Sequence, residues 1–426
     1  MTHSPQKQLW SASTAAGQNI SVRENNYWPM IFTINAGSSS IKFALYEMSS
    51  SWQRIFNGSI DRIGQSGTVF SINRSDNKTP SRCRLKADNH GSAASFLLDY
   101  LTAQPEFPFI KAVGHRVVHG MHHSQPQQIN SALLAELRRI VPYDPDHLPR
   151  EIQLIEVFHH RHPKLFQVAC FDTAFHRTMP PVAKWLPIPR RYAAKGIQRY
   201  GFHGLSYAFL MEELHRLGDP AALKGRVILA HLGNGASLAA VRKGKSIDTS
   251  MGFTPAAGLM MSTRSGDLDP GIVGYLARVE HMTPMQFEQM VNHDSGLLGI
   301  SAVSSDVRDL LAKETTNPHA AQALEMFCYQ IKKWIGALAA ALGGVDTLVF
   351  AGGIGENAPA IRRRICQDME FLGIHIMPER NSKNAPLLSA PDAAVTVRVI
   401  HTNEELMIAR ATARLLKLKT IKQHPL

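Results

Sequence analysis

The sequence predicts an α/β protein of two domains on one duplicated plan, with a central cleft, and three stretches predict it. In residues 30–46 an apolar run from Ile31 to Ile34 leads into Asn35-Ala36-Gly37-Ser38-Ser39-Ser40. A second run follows, in which Ile41, Phe43 and Leu45 alternate with Lys42, Ala44 and Tyr46. Period-two alternation after a Gly/Ser-rich turn is the pattern of a β-hairpin. Residues 226–241 repeat it: an apolar strand, a tip at Gly233-Asn234-Gly235-Ala236-Ser237, and a return strand. A third glycine cluster, Ala351-Gly352-Gly353-Ile354-Gly355-Glu356-Asn357, follows a strand at 347–350. Glycine lets backbone approach a ligand, and successive N–H groups in such turns form anion sites. Two such hairpins, one per half, suggest a polyphosphate held between two loops.

At 426 residues the chain exceeds one compact core. Its 44% hydrophobic and 19% charged residues are ordinary for a globular enzyme. The net charge of +12 favours anionic partners. No basic block with interleaved aromatics is present, so small anions fit better than nucleic acid. Cys83, Cys170, Cys328 and Cys366 lack CxxC spacing, which argues against a zinc site or disulfide framework and for a cytoplasmic location. No run of membrane-spanning length is present; 335–350 is broken by Gly343, Gly344 and Asp346. Residues 1–28, rich in Ser, Gln, Asn and Thr, read as a flexible extension. Domains are expected over 29–173 plus 400–426, and over 174–399 on the nucleotide side.

In order, 54–85 reads as short strands and 92–101 as a helix. A strand at 110–118 leads into His119-Gly120. Residues 131–140 form an amphipathic helix, 142–149 a proline-rich loop and 151–160 a further helix. The buried strand 166–171 ends at Asp172, and strand ends are where open α/β sheets place their sites. A helix spans 205–217. Residues 248–271 are long and irregular, which inside a compact domain marks function. Helices run to about 342; a helix at 360–369, a strand at 395–399 and a last helix at 404–416 complete the chain.

Several runs resemble the acetate kinase family in its own order: Asn35 to Lys42, Gly114 to Gly120, Phe171 to His176, Tyr200 to Gly204, His231 to Ser237, Met251 to Pro270 with its Thr263-Arg264-Ser265-Gly266-Asp267-Leu268-Asp269-Pro270, Gly296 to Leu310, Gly353 to Asn357, and Thr402 to Arg410. The resemblance implies the duplicated actin-like ATPase (ribonuclease H-like) fold of sugar kinases, actin and heat-shock chaperones. It implies transfer of the ATP γ-phosphoryl group to a short carboxylate with Mg2+, or Mn2+ in its place. A homodimer that binds neither nucleic acid nor membrane is also implied. It assigns Asp172, His203 and Arg264 to catalysis, and Arg116, Val118, Pro255 and His147 to the carboxylate. Asn35 and Glu404 fall on the metal side. Ser38, Ser40, Lys42, His231, Leu232, Gly233, Asn234, Gly235, Asp306, Val307, Arg308, Gly353, Ile354, Gly355, Glu356 and Asn357 fall on the nucleotide.

Phosphoryl transfer needs alignment and charge neutralisation more than covalent help. Both reactants are anions, and guanidinium forks such as Arg116 and Arg264 suit their oxygens. A short carboxylic acid titrates near 4 and is already ionised at neutral pH. Asp172, described in the family as the acid/base group, is therefore better suited to orienting an arginine or metal-bound water. Gly353-Ile354-Gly355-Glu356-Asn357-Ala358 fits a dinucleotide fingerprint only superficially, and no Walker motif exists. Asp146 stands where the family offers a leucine to the acyl pocket; Met121, Leu205, Tyr207, Ala256 and Ala257 also depart. Acetate is the expected substrate, with propionate or another short acid as the near alternative. A non-catalytic nucleotide-binding switch is the alternative from a different class.

Overall fold

The computed structural model describes residues 28–418 apart from 38, 50 and 78. The extension expected before residue 28 and the expected nucleotide contact Ser38 therefore lie outside the described residues. The chain divides into two compact units, one up to Asp172 and from Glu404 onward, the other Thr173–Asn403.

The first unit is an eight-stranded sheet of β1 (Met30–Ala36), β2 (Ser40–Glu47), β3 (Gln53–Asp61), β4 (Val69–Arg74), β5 (Ser81–Arg84), β6 (Ile110–Val117), β7 (Gln127–Gln128) and β8 (Phe166–Phe171). Its order is β5-β4-β3-β2-β1-β6-β8-β7. β1 to β5 form an antiparallel meander, while β6 and β8 run parallel to β1. Strand alternation sorts the side chains. Phe32, Ile34, Phe43, Leu45, Phe56 and Phe70 pack with Leu97 and Leu98 of the helix His90–Thr102 and with Leu154 and Phe158 of the helix Leu148–Arg161. On the opposite face Ile31, Ala44, Tyr46 and Ala112 meet Ala409 and Ala413 of the helix Glu404–Leu415. Gly114 permits that approach: a Cβ there would lie 2.4 Å from Thr412 Oγ1 and 2.5 Å from Ile408 Cγ2.

The second unit repeats the plan with β9 (Arg226–Leu232), β10 (Ala236–Arg242), β11 (Lys245–Thr249), β12 (Thr347–Ala351) and β13 (Thr396–Val399), in the order β11-β10-β9-β12-β13. β9, β10 and β11 are antiparallel; β12 and β13 run parallel to β9. This matches β3-β2-β1-β6-β8 strand for strand, so the duplication read from the hairpins extends to all five strands of the second sheet, while β4, β5 and β7 belong to the first alone. The helix Pro318–Leu342 covers β9, β10 and β11.

Some local boundaries differ from expectation. The helix placed at 151–160 begins at Leu148, because Pro149 fits a helix's first turn, where its missing N–H loses nothing. The glycine cluster after β12 is a helical turn, Gly352–Asn357. Gly352 opens it at φ +76°, where a Cβ would meet Leu232 O at 2.7 Å. The helix expected at 360–369 spans Pro359–Cys366, with extended Gln367 and left-handed Asp368 ending it.

Four histidines are buried: His90, His115 and His119 in the first unit and His176 in the second. Burial lowers the pKa of all four, to about 4 for His115, His119 and His176. The unfolded chain therefore binds these protons first, and the stability of the neutral rings is lost as pH falls from 6.5 toward 4. Full protonation of each of the last three rings costs about 3 kcal/mol. Urea unfolding should show stability falling below pH 6.5; His115, His119 and His176 contribute a slope approaching about 4 kcal/mol per pH unit, which Glu151, whose raised pKa acts in the opposite sense, reduces. A flat profile between pH 6.5 and 4.5 would contradict it.

Candidate active site

In the first unit, register brings three polar residues to one edge. Ile34 pairs with His115, so Asn35 comes beside Arg116; Val117 pairs with Phe171, so Asp172 follows at the end of β8. Because the three strands are parallel, their C-terminal ends coincide. Arg116 donates to Asp172 Oδ2 from Nε at 3.1 Å and Nη2 at 2.6 Å, and from Nη1 to Asn35 Oδ1 at 3.2 Å. Asn35 Nδ2 donates to Glu404 Oε2 at 2.9 Å. Burial works against the Arg116 charge, but attraction to Asp172 and Glu404 and the bond to Asp172 outweigh it and raise its pKa. The guanidinium is thus a fixed cation.

Asp172 is fully buried, and its Oδ1 has no hydrogen-bond partner among the described residues. This oxygen and those of Asn35 and Glu404, linked in one cluster through Arg116 and the Asn35 amide, are oxygen donors of the kind that suits Mg2+. Lys42, opposite Asn35 in the hairpin, has an exposed side chain. Ser40 closes the tip by accepting from Gly37 N–H at 2.7 Å.

Beneath this edge lies a group the sequence did not flag. Glu151, buried in the helix Leu148–Arg161, accepts the Val118 N–H through both carboxylate oxygens at 3.2 and 3.1 Å. Burial raises its pKa well above the usual range; Asp144 and Asp172 add to this, and Arg116 and the Val118 bond oppose it. His147 Nδ1 lies 2.8 Å from Asp144 Oδ1. Glu151 reads in sequence as an ordinary acidic residue of a first helical turn, and only folding brings it under Val118.

In the second unit, the β9–β10 tip closes through Gly233 N–H to Gly235 O at 2.9 Å, leaving Asn234 exposed. His203 sits at φ +58°, a left-handed conformation held just before the helix Gly204–Arg216. Non-glycine residues kept there store strain typical of functional sites. Its Nδ1 lies 2.8 Å from Ser237 Oγ, which also bonds Tyr207 Oη. Its ring stacks on His231, with centroids 4.3 Å apart. His231 in turn meets Ser206 Oγ at 2.8 Å, and Ser206 meets Thr402 Oγ1 at 2.8 Å. Tyr207, noted above only as a departure, is thus a positioning residue for His203.

The irregular segment after β11 is tied by its own backbone. Asp267 Oδ1 accepts from Gly258 N–H at 2.8 Å, Met261 N–H donates to Arg264 O at 2.9 Å, and Ser262 N–H donates to Asn234 O at 3.2 Å. Arg264 Nη1 donates to Pro255 O at 2.7 Å. A Cβ on Gly235 would lie 2.8 Å from Arg264 Nη2 and 3.1 Å from His203 Nε2. The glycine therefore lets a histidine and an arginine converge on the β9–β10 tip.

The remaining nucleotide candidates divide by burial. Leu232 and Val307 are core side chains and offer only backbone. Asp306 caps the helix Val307–Lys313, accepting Arg308 N–H at 2.8 Å and pairing with its guanidinium at 2.6 Å. In the turn that holds Gly353, Ile354 and Gly355, Asn357 Nδ2 donates to Gly353 O at 3.0 Å. The Glu356 carboxylate is engaged internally, accepting from Gly352 N–H at 2.9 Å and Thr402 N–H at 3.1 Å and meeting His401 Nδ1 at 2.7 Å. Arg362, unremarked in the sequence, is buried and donates to Gly355 O at 2.8 Å, Glu356 O at 3.0 Å, Asn381 Oδ1 at 2.8 Å, Asn381 O at 2.9 Å and Asn384 Oδ1 at 2.6 Å. It caps the carbonyl end of the turn.

Comparison with known proteins agrees with these motifs. A model of the acetokinase family matches residues 30–410. The acetate kinase of Rhodopseudomonas palustris (strain TIE-1) is 44% identical over 394 residues, covering 91% of this chain and 98% of that one. The propionate kinase of Citrobacter rodentium is 43% identical over 397 residues, covering 92% and 98%. A crystal structure of Porphyromonas gingivalis acetate kinase superposes with a TM-score of 0.83 at 36% identity, covering 91% of this chain and all of that one. A propionate kinase from Francisella tularensis superposes with a TM-score of 0.84 at 35% identity, covering 90% and 98%. Among the described residues no helix is long and apolar enough to cross a membrane. The two hairpin-led sheets therefore form the duplicated actin-like ATPase fold, and the chain is an enzyme of the acetokinase family.

Proposed function

We propose that the enzyme transfers the γ-phosphoryl group of ATP reversibly to acetate, giving acetyl phosphate and ADP, and that it needs Mg2+, with Mn2+ as a substitute. The supporting observation is the Arg116 guanidinium, fixed between buried Asp172 and Asn35 at the ends of parallel strands. In this reading Arg116 binds the acetate carboxylate, with Val118, Pro255 and His147 around the methyl group. One carboxylate oxygen forms a bond to the γ-phosphorus while the bond to the β,γ-bridging oxygen breaks. No proton is removed, because acetate is already an anion. Asp172 orients Arg116. Arg264 and His203 donate to the equatorial phosphoryl oxygens, and the Gly233–Gly235 tip holds the phosphates. Asn35, Asp172 and Glu404 would hold the metal, whose chemistry is to neutralise phosphate charge. A cytoplasmic homodimer completes the reading; sedimentation of the purified protein tests the dimer.

Propionate is the second reading, supported by Asp146 in the acyl-side loop and by the similarity to propionate kinases. A hydroxamate-trapping assay with ATP, Mg2+ and acetate, propionate or butyrate decides. One methylene is worth about 10- to 200-fold in an apolar pocket, and acetate should lead in kcat/KM by at least about tenfold. Asp146→Leu should lower the acetate KM. A lead for propionate would replace acetate as substrate; no acyl phosphate from any short acid would end the proposal.

A further inference from the structure

Beyond β6 the chain turns through Gly120 and Met121, the latter at φ +48°, into His122 and His123. Neither histidine has a part in the kinase reading. His123, with its side chain 14% exposed, lies flat on Phe171 at 5.0 Å and 11°. Its Nε2 is 3.1 Å from Glu136 Oε2. His122 Nδ1 is 3.5 Å from Glu136 Oε1. Glu136 belongs to the helix Ser131–Arg139, anchored by the Asn130 cap. One ligand atom from each of the three residues lies within 4.8 Å of the others, the one such trio among the described residues.

We propose that His122, His123 and Glu136 bind a divalent transition-metal ion of the zinc class. Four-coordinate zinc has bonds of about 2.1 Å, which sets ligand atoms about 3.4 Å apart. His123 Nε2 lies 3.1 Å from Glu136 Oε2 and His122 Nδ1 lies 3.5 Å from Glu136 Oε1, so each imidazole stands about one such edge from its own carboxylate oxygen. The His122 side chain, 73% exposed, has room to rotate inward and complete the third edge. Two imidazoles and a carboxylate are a borderline donor set that selects zinc, cobalt or nickel over Mg2+. The exposed side leaves the fourth position to water. The bound ion ties the segment after Val118 to the helix Ser131–Arg139, and through His123 to Phe171 beside Asp172. The site is thus a clip on the first unit, separate from the Mg2+ site proposed above.

The test uses the untagged full-length protein, stripped with chelator and titrated with Zn2+ in excess Mg2+. One equivalent should bind per chain and raise the Tm. Co2+ in its place should give the visible spectrum of a four-coordinate ion with nitrogen ligands. Loss of a mere outer-sphere partner weakens metal binding about 10- to 100-fold, so His123→Ala and Glu136→Gln should weaken it by more than about 100-fold. Removing His159 and His160, which are exposed and lie elsewhere, should change nothing. His122→Ala, at an exposed position, covers the case in which His123→Ala does not fold. Equal Zn2+ binding in parent and Glu136→Gln, or no saturable equivalent at all, would overturn the proposal. Kinase activity in Mg2+ alone reads separately, so the two proposals fail independently.

Discussion

Arg264→Ala is expected to lower kcat by about 1,000-fold, the lower end of what a transition-state arginine contributes to phosphoryl transfer. The motivation is local. The guanidinium is tethered through Nη1 to Pro255 O, and Gly235 leaves Nη2 next to the His203 ring and the phosphate-type loop. A cation held there meets the charge that spreads over the equatorial oxygens as the β,γ bond lengthens. The loss should fall on kcat far more than on the KM for ATP, since ground-state phosphates keep the loop N–H groups. Arg264→Lys should recover only part of the rate, because an ammonium lacks the planar fork. Steady-state kinetics with far-UV circular dichroism as a folding control checks this. A kcat within about tenfold of the parent would remove Arg264 from the transferred group.

Arg116→Ala is expected to act on both stability and activity. Asp172 is fully buried, and the Arg116 fork is its charge partner. Removing one member of a buried pair costs about 3–5 kcal/mol, because the other charge is left uncompensated. At 2–4 °C per kcal/mol for a unit of this size, the Tm should fall on the order of 10 °C. Asp172→Asn in the same chain removes the stranded charge and should restore most of that loss. It should not restore activity, because the carboxylate still lacks its cation. The carboxylate KM should rise by about 100-fold or more in the single variant, as for loss of a charge-assisted bidentate contact. Restored stability together with restored acetate turnover would show that Arg116 serves only the fold.

Much of the fold was legible because two hairpins announce themselves locally. The alternation in β2 and the Gly/Asn tip of β9–β10 are short-range patterns, and so is a buried run ending in Asp172. Arg116 and Arg264 were legible for a different reason: each lies in a run resembling a known family. Residues acting through long-range contacts were hidden. Glu151 matters because a helix 33 residues beyond Val118 returns beneath it. Arg362 draws its carbonyl and amide partners from a turn before it and from Asn381 and Asn384 after it. Tyr207 looked like a departure until Ser237 lay against its hydroxyl. Glu356 shows the converse. Its place in a nucleotide motif suggests ligand contact, and nothing in that motif announces that its carboxylate also holds the backbone of Gly352 and Thr402. Side-chain type is written in the sequence, but the partner that uses it is set by register and packing.

The notch at Gly114 has a consequence for biosynthesis. The helix that fills it, Glu404–Leu415, lies after all 231 residues of Thr173–Asn403 in chain order. During translation the first sheet must wait, one face bare, while the entire second unit leaves the ribosome. Nascent chains stalled before residue 404 would carry Ile31, Ala44, Tyr46 and Ala112 uncovered and should be the species that chaperones retain. Supplying the missing helix as a separate peptide to such a fragment would measure how tightly the notch grips it.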